Sequence, residues 1–179
     1  MTFIITGNIK DINGLPSPIS LVGGGAFLPT ELFLPRTGLP GELEYLRNQH
    51  TDVKLMLDTG AAHTCIDINI IKRINAKPIG MTKVRGVSGI AEDRPVFRLS
   101  LQLFMADEHQ YRRAIRFTTD VRGIPPLGHA AHLGLVCDGL IGRDFLRYFK
   151  LVYTGYLASW ELSAQPDKPA ESTKNHIDR

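Results

Sequence analysis

The feature that most constrains the fold is a short apolar stretch that ends in a carboxylate. Residues 53–61 read Val-Lys-Leu-Met-Leu-Asp-Thr-Gly-Ala. Leu55 and Leu57 share one face of an extended chain, and this alternation predicts a strand with a buried face. The strand must end at Asp58, because a carboxylate at the mouth of an apolar strand is costly unless it is paired or solvated. Gly60 then permits a sharp turn.

On its own, the Asp-Thr-Gly sequence has two interpretations. Asp58 and Thr59 can hydrogen-bond to the nearby backbone and simply close the turn after the strand. Alternatively, Asp58 is a functional carboxylate. A tripeptide is too short to decide between the two.

A second stretch, residues 138–146, reads Asp-Gly-Leu-Ile-Gly-Arg-Asp-Phe-Leu. It contains an apolar pair that ends at Ile141, and Gly142 permits a close approach or a turn. We expect Asp144 to cap a short helix that begins at Phe145.

Together the two stretches resemble the retropepsin-like aspartic proteases, the single-domain relatives of pepsin. In that family an apolar strand ends in Asp-Thr-Gly-Ala or Asp-Thr-Gly-Ser. Later an apolar pair is followed by Gly, often as Gly-Arg-Asp or Gly-Arg-Asn, and then by a short helix. Here these elements are residues 55–61 and 140–144, in the same order. The resemblance covers residues 50–162, and the N-terminal third follows more loosely.

The resemblance implies an aspartic endopeptidase that needs no cofactor and acts on a polypeptide. One carboxylate takes a proton from a water molecule while a second, protonated carboxylate polarises the scissile carbonyl. Because this chain carries one Asp-Thr-Gly, the second Asp58 must come from another copy, in a homodimer with a twofold axis. Candidate interface elements are residues 1–9, 58–61 and 156–162.

The resemblance also assigns a supporting catalytic loop. Its residues are Thr59, Gly60, Ala61, Ile141, Gly142 and Arg143. In retroviral members the Arg pairs with an acid four residues after the catalytic Asp, but here that position is Ala62. Arg143 therefore needs another partner, either Asp138, Asp144 or a backbone carbonyl.

Residues 83–91 predict a hairpin with the tip Gly86-Val87-Ser88-Gly89. The resemblance implies that this hairpin is a substrate-binding flap, a lid that closes over the substrate and uses the backbone freedom of its glycines. The alternative is an ordinary surface hairpin.

Strand patterns dominate the rest of the chain. We expect an N-terminal hairpin from residues 3–9 and 18–22, a long loop or insertion over 23–50, and a disordered tail over 163–179. The predicted fold class is all-β. The resemblance sharpens it to a retropepsin-like closed β-barrel over residues 1–162, with a flap hairpin and one or two short helices.

Composition excludes several function classes. The net charge is +3 and the chain has no dense Lys/Arg run, so the sequence does not favour a nucleic-acid-binding function. No apolar run approaches the ~20 residues of a membrane helix. The first seven residues are too short for a signal peptide, and two cysteines make no disulfide framework. We therefore expect a cytoplasmic protein.

Two further kinds of site are less well supported than the carboxylate. The scattered His and Cys side chains match no standard zinc-binding spacing, so no metal site is predicted. They are His63, Cys65, His129, His132 and Cys137. Cys65 is a poor nucleophile, because a thiol in an apolar strand stays protonated. The rival functions are a binding or scaffold module that keeps the barrel without cleaving, and an unrelated β-barrel with a chance Asp-Thr-Gly.

Overall fold

A computed structural model describes residues 3–8, 26–35, 50–86, 89–106, 112–127, 137–154 and 159–164. These residues form ten strands and two short helices: β1 (Phe3–Asn8), β2 (Phe27–Phe33), β3 (His50–Leu57), β4 (Cys65–Asp67), α1 (Ile68–Arg73), β5 (Gly80–Arg85), β6 (Ala91–Ala106), β7 (Arg112–Ile124), β8 (Gly139–Ile141), α2 (Arg143–Leu146), β9 (Phe149–Thr154) and β10 (Ser159–Ala164). Neither helix is long and apolar enough to cross a membrane.

Six of the strands close into a barrel. The ring runs β2–β3–β8–β4–β7–β6 and returns from β6 to β2. Only the β3–β8 and β4–β7 pairs in this ring are parallel. Closure gives each of these strands a partner on both sides, which satisfies the backbone groups that an open sheet would expose. The prediction of an all-β closed barrel with a hairpin and short helices is confirmed.

The barrel is filled by the inward face of each strand. Alternate residues of β6, from Phe97 to Met105, are fully or almost fully buried, as the two-residue period of a strand requires. Ile70 and Ile71 of α1 and Phe145 of α2 join the same apolar cluster. Both helices therefore contribute apolar side chains to the core of the barrel.

The β5–β6 hairpin extends from the barrel. Its tip closes with a hydrogen bond from Gly89 N to Gly86 O at 3.0 Å, and Gly89 has a φ of 74°, which favours glycine. A hairpin at this position is therefore observed. Its predicted tip residues Val87 and Ser88 lie outside the described residues.

A three-stranded antiparallel sheet forms a second extension. Strand β10 lies between β1 and β9, and both neighbours pair with it along its whole length. The sheet joins the barrel where Ile4 of β1 pairs with Ala106 of β6.

Two sequence predictions about these strands need correction. Residues 27–33, predicted as part of a loop, form β2 between β3 and β6, because Leu28, Thr30 and Leu32 alternate into the core. Ser163 and Ala164, predicted as the start of a disordered tail, belong to β10. Residues 18–22, 36–49 and 165–179 lie outside the described residues.

The other predicted N-terminal element is β1, which is observed with β10 as its main partner. The second helix spans Arg143–Leu146 and therefore begins two residues before the predicted start at Phe145. Its N-terminal boundary is therefore set by Gly142, two residues before the predicted cap.

Candidate active site

Asp58 lies where β3 leaves the barrel, and it forms a local turn with its own backbone. Its Oδ1 accepts hydrogen bonds from Gly60 N at 2.8 Å and from Ala61 N at 3.1 Å. Its backbone N donates to Ile141 O at 3.0 Å. The carboxylate is half-buried, and its Oδ2 has no hydrogen-bond partner among the described residues. One oxygen is thus fixed by the turn and the other can meet a ligand.

Strand β8 lies between β3 and β4, the two strands that flank this turn. It pairs parallel with β3, where Leu57 faces Ile141, and antiparallel with β4, where Cys65 faces Leu140. The turn after Asp58 is therefore held from behind by a segment that comes from more than eighty residues later.

Two glycines make this close passage possible. A Cβ on Gly139 would collide with the carbonyl oxygen of Cys65 and lie 2.9 Å from the Cα of Ile66. A Cβ on Gly142 would lie 2.5 Å from the carbonyl carbon of His63. Both neighbours are backbone atoms, so no side chain can rotate away.

Arg143 binds the loop after Asp58 through backbone carbonyls. Its Nη1 donates to Thr59 O at 3.0 Å and more weakly to Gly60 O at 3.4 Å. Its backbone N donates to Ala61 O at 2.9 Å. Of the three partners considered from the sequence, the carbonyl is therefore the one observed. Asp138 instead accepts from Lys54 N at 2.8 Å and ties β3 to the start of β8.

Asp144 is a second anchor of the site. Its carboxylate accepts from Thr64 N at 2.9 and 3.0 Å and from the Thr64 hydroxyl at 2.8 Å. The same hydroxyl accepts from Gly142 N at 3.2 Å, and Thr64 is fully buried. Gly142, and not Asp144, is the N-cap of the helix, but Asp144 Oδ1 also accepts from Phe145 N in the first turn at 2.9 Å.

Sequence reasoning missed this pair. The signal that could have found it is the Gly-Arg-Asp sequence, in which the acid follows directly after the residues that brace the loop. Its partner, 80 positions earlier, carries no local signal.

We expect Asp144→Ala to lower the free energy of unfolding by about 3 kcal/mol, because it leaves the buried amide and hydroxyl of Thr64 without their acceptor. Chemical denaturation followed by circular dichroism measures this. The matched control is Asp120→Ala, which removes a more exposed acid that pairs with Arg98 at 2.8 Å. Its cost should stay below about 1 kcal/mol. Equal losses in the two variants would contradict an anchoring role for Asp144.

The charge of Asp58 contributes to raised pKa values of two described side chains, Cys65 and Tyr153. Burial raises the pKa of Cys65 to about 11; Arg122 opposes this shift, and the charges of Asp144 and Asp58 add to it. Burial, followed by the charge of Asp58, also raises the pKa of Tyr153 on β9. The Cys65 thiol is therefore protonated at neutral pH, which agrees with the expectation that it is a poor nucleophile.

One group of described residues has the spacing of metal ligands. Glu31, His50 and Asp52, on β2 and β3, present ligand atoms within 4.8 Å of one another. Glu31 also accepts from Gln102 Nε2 at 2.6 Å. These side chains are exposed or half-buried, as acidic groups on a surface often are without an ion. Of the zinc candidates considered from the sequence, His129 and His132 lie outside the described residues.

The fold therefore brings most of the predicted site residues into one cluster. Asp58 and its turn contact the segment from Ile141 to Arg143 through the hydrogen bonds above. Gly86 and Gly89 lie at the tip of the β5–β6 hairpin.

Comparison with solved structures finds a similarity to a crystal structure of a retropepsin-like aspartic protease from Rickettsia conorii. The superposition has a TM-score of 0.42 and 12% sequence identity, and it covers 92% of this chain and 93% of that chain. No family model matches the sequence. No curated protein matches it either. The functional assignment therefore depends on the residues of the site and on their geometry.

Proposed function

We propose that this chain is an aspartic endopeptidase of the retropepsin-like type, in which two copies of Asp58 hydrolyse a peptide bond. The observation that carries the proposal is the Asp58 turn. Its carboxylate is held by two backbone amides, braced by β8 and by Arg143, and left with one oxygen that has no partner among the described residues.

The chemistry requires two carboxylates that share one proton. The ionised one removes a proton from a bound water, which attacks the peptide carbonyl, and the protonated one donates to the carbonyl oxygen. The tetrahedral species then collapses as the leaving nitrogen takes up a proton, without a covalent enzyme intermediate. One chain supplies one such carboxylate, so the complete site needs a second copy.

The neighbouring residues have supporting roles in this proposal. The carbonyls of Thr59 and Gly60 are engaged by Arg143, which fixes the direction of the loop. The Gly60 backbone would bind the substrate chain, and the β5–β6 hairpin would cover it. Ala61 leaves the carboxylates without a hydroxyl partner from its side chain.

The concentration dependence of cleavage tests this proposal. A denatured protein substrate is incubated with the folded chain at increasing concentrations, and new amino termini are counted. We expect the rate per chain to rise with concentration and then to level off as dimers saturate. A transition-state mimic of the pepstatin type should inhibit, and a chelator should not.

Two outcomes would contradict the proposal. Folded protein that cleaves nothing at any concentration would favour the binding or scaffold module. A rate per chain that stays constant on dilution, with a monomer in sedimentation, would exclude a site shared by two copies.

A further inference from the structure

Three side chains of the kinds that bind metals lie together on the outer face of the barrel. Glu31 on β2 is directly opposite Asp52 on β3, and His50 comes two residues before Asp52 on the same strand. Their neighbours Thr30 and Val53 are buried, so these alternate side chains point outward. The ligand atoms of Glu31, His50 and Asp52 all lie within 4.8 Å of one another. The register of two paired strands therefore assembles this ligand group.

The carboxylate of Glu31 is held in place from its other side. Strand β2 lies between β3 and β6, and Glu31 pairs with Gln102 of β6. Gln102 Nε2 donates to Glu31 Oε2 at 2.6 Å, and Arg116 Nη2 donates in turn to Gln102 Oε1 at 2.8 Å. Metal-binding carboxylates usually have such hydrogen-bond partners behind them, because the partner orients the ligand.

The imidazole of His50 is positioned by an aromatic neighbour. It stacks on Phe33 of β2, with ring centroids 5.4 Å apart and an angle of 20° between the planes. The guanidinium of Arg116 lies 4.2 Å from the centroid of the same Phe33 ring. His50 comes from β3 on one side of β2, and Arg116 comes from beyond β6 on the other side. Phe33 therefore separates this positive charge from the ligand group.

The composition of the ligand group suits a zinc ion. Zn²⁺ binds imidazole nitrogen and carboxylate oxygen at about 2.0–2.2 Å in tetrahedral geometry, which places its ligand atoms about 3.5 Å apart. His50 and Asp52 are exposed, so their side chains are able to move closer by the ångström or so that this geometry requires. Two carboxylates balance the charge of the ion, whereas without it they repel each other.

A cavity beside the ligand group provides space for the remaining coordination position. Its volume is about 460 Å³, and Glu31 and Asp52 form part of its wall. Three protein ligands leave the fourth position of a tetrahedral zinc ion open, and a water molecule in the cavity is able to fill it. A nitrogen ligand, an oriented carboxylate and this space distinguish the group from acids scattered on a surface.

We propose that Glu31, His50 and Asp52 bind one zinc ion, and that the ion stabilises the pairing of β2 with β3. Its ligands come together only when the two strands are paired, so the ion binds the folded chain in preference to the unfolded one. Asp58 follows Asp52 by six residues of extended chain, which is about 20 Å. The ion therefore has a structural role and takes no part in the chemistry proposed for Asp58.

The first test titrates zinc into untagged protein that has been freed of metal by dialysis against a chelator. We expect calorimetry to find one ion per chain, and saturating zinc to raise the melting temperature by about 5 °C or more. His50→Ala and Asp52→Asn should each weaken binding by more than about tenfold and remove the temperature shift. The matched controls are His63→Ala, at a side chain that is 53% exposed, and Asp120→Asn. Both controls should bind zinc as wild type does.

The second test examines the hydrogen-bond partner and the choice of metal. Gln102→Ala should weaken zinc binding by about tenfold while the stoichiometry stays at one ion per chain, because Glu31 loses the donor that orients it. Co²⁺ should replace zinc and give the visible absorption of a four-coordinate site, which His50→Ala removes. Mg²⁺ at the same concentration should not displace it, because Mg²⁺ prefers six oxygen ligands.

The outcomes also separate this inference from the proposed function. Zinc binding that survives both His50→Ala and Asp52→Asn overturns the site, and so does a wild-type melting temperature that zinc leaves unchanged. A loss of binding in His63→Ala as large as that in His50→Ala overturns it as well. Removal of zinc should lower the melting temperature without changing the rate of peptide cleavage at 25 °C. A protein that binds zinc here and cleaves nothing supports the site and refutes the peptidase proposal.

Discussion

Asp58→Asn should abolish peptide cleavage, by about 10³-fold or more, while the domain remains folded. An amide can act neither as the general base nor as the general acid that a carboxyl group provides, so the shared-proton chemistry is lost. The fold should survive because the Asn side-chain oxygen can still accept from Gly60 N and Ala61 N, as Asp58 Oδ1 does at 2.8 and 3.1 Å. Turnover and circular dichroism are measured on one preparation.

Asp58→Ala separates the two roles of this side chain. It removes the acceptor as well as the proton, so it should lose activity to the same degree and also lower the free energy of unfolding by about 1–2 kcal/mol. If the folded Asn variant keeps substantial activity, Asp58 is only a turn residue and the aspartic mechanism is wrong.

Gly139→Ala should have the largest effect on stability, a loss of about 3 kcal/mol or more in the free energy of unfolding. Its new Cβ would collide with the backbone of Cys65 and Ile66, and β8 would have to move out from between β3 and β4. Since β8 also accepts from Asp58 N through Ile141 O, activity should fall with stability. Denaturant titration measures the first effect, and cleavage by the remaining folded fraction measures the second.

Gly80→Ala is the control for this prediction. A Cβ on Gly80 meets no atom within 4 Å, so the added methyl should change the free energy of unfolding by less than about 0.5 kcal/mol. Similar losses at the two positions would mean that the effect comes from losing glycine in a strand, and not from the close passage of β8.

The all-β class and the core of the candidate site could be predicted because their signals are local, whereas the closed barrel was predicted only from the resemblance to a known family. The alternation that ends at Asp58 is a property of neighbouring residues, and β3 indeed ends at Leu57. The close backbone approach expected at Gly142 is observed. A glycine directly after an apolar pair is itself a local signal for such an approach.

Strand β2 shows where local signals fail. The glycine-rich sequence before it and Pro29 both favour a loop. Pro29 nevertheless lies in the strand, opposite Lys54, with its side chain exposed. The burial of Leu28 and Leu32 outweighs the local preference, because both side chains enter the barrel core. The free-energy gain depends on β3 and β6, which are distant in sequence.

The sequence by itself determined the period-two strands, the turn at Asp58 and the glycines that a close backbone passage requires. Only the tertiary structure decided that Arg143 binds loop carbonyls, that Thr64 meets Asp144 across 80 residues, and that β10 lies between β1 and β9. The physical reason is the range of the interactions. Alternation and turn formation depend on adjacent residues, whereas a buried hydrogen bond or a strand partner depends on which distant segments the closed barrel brings together.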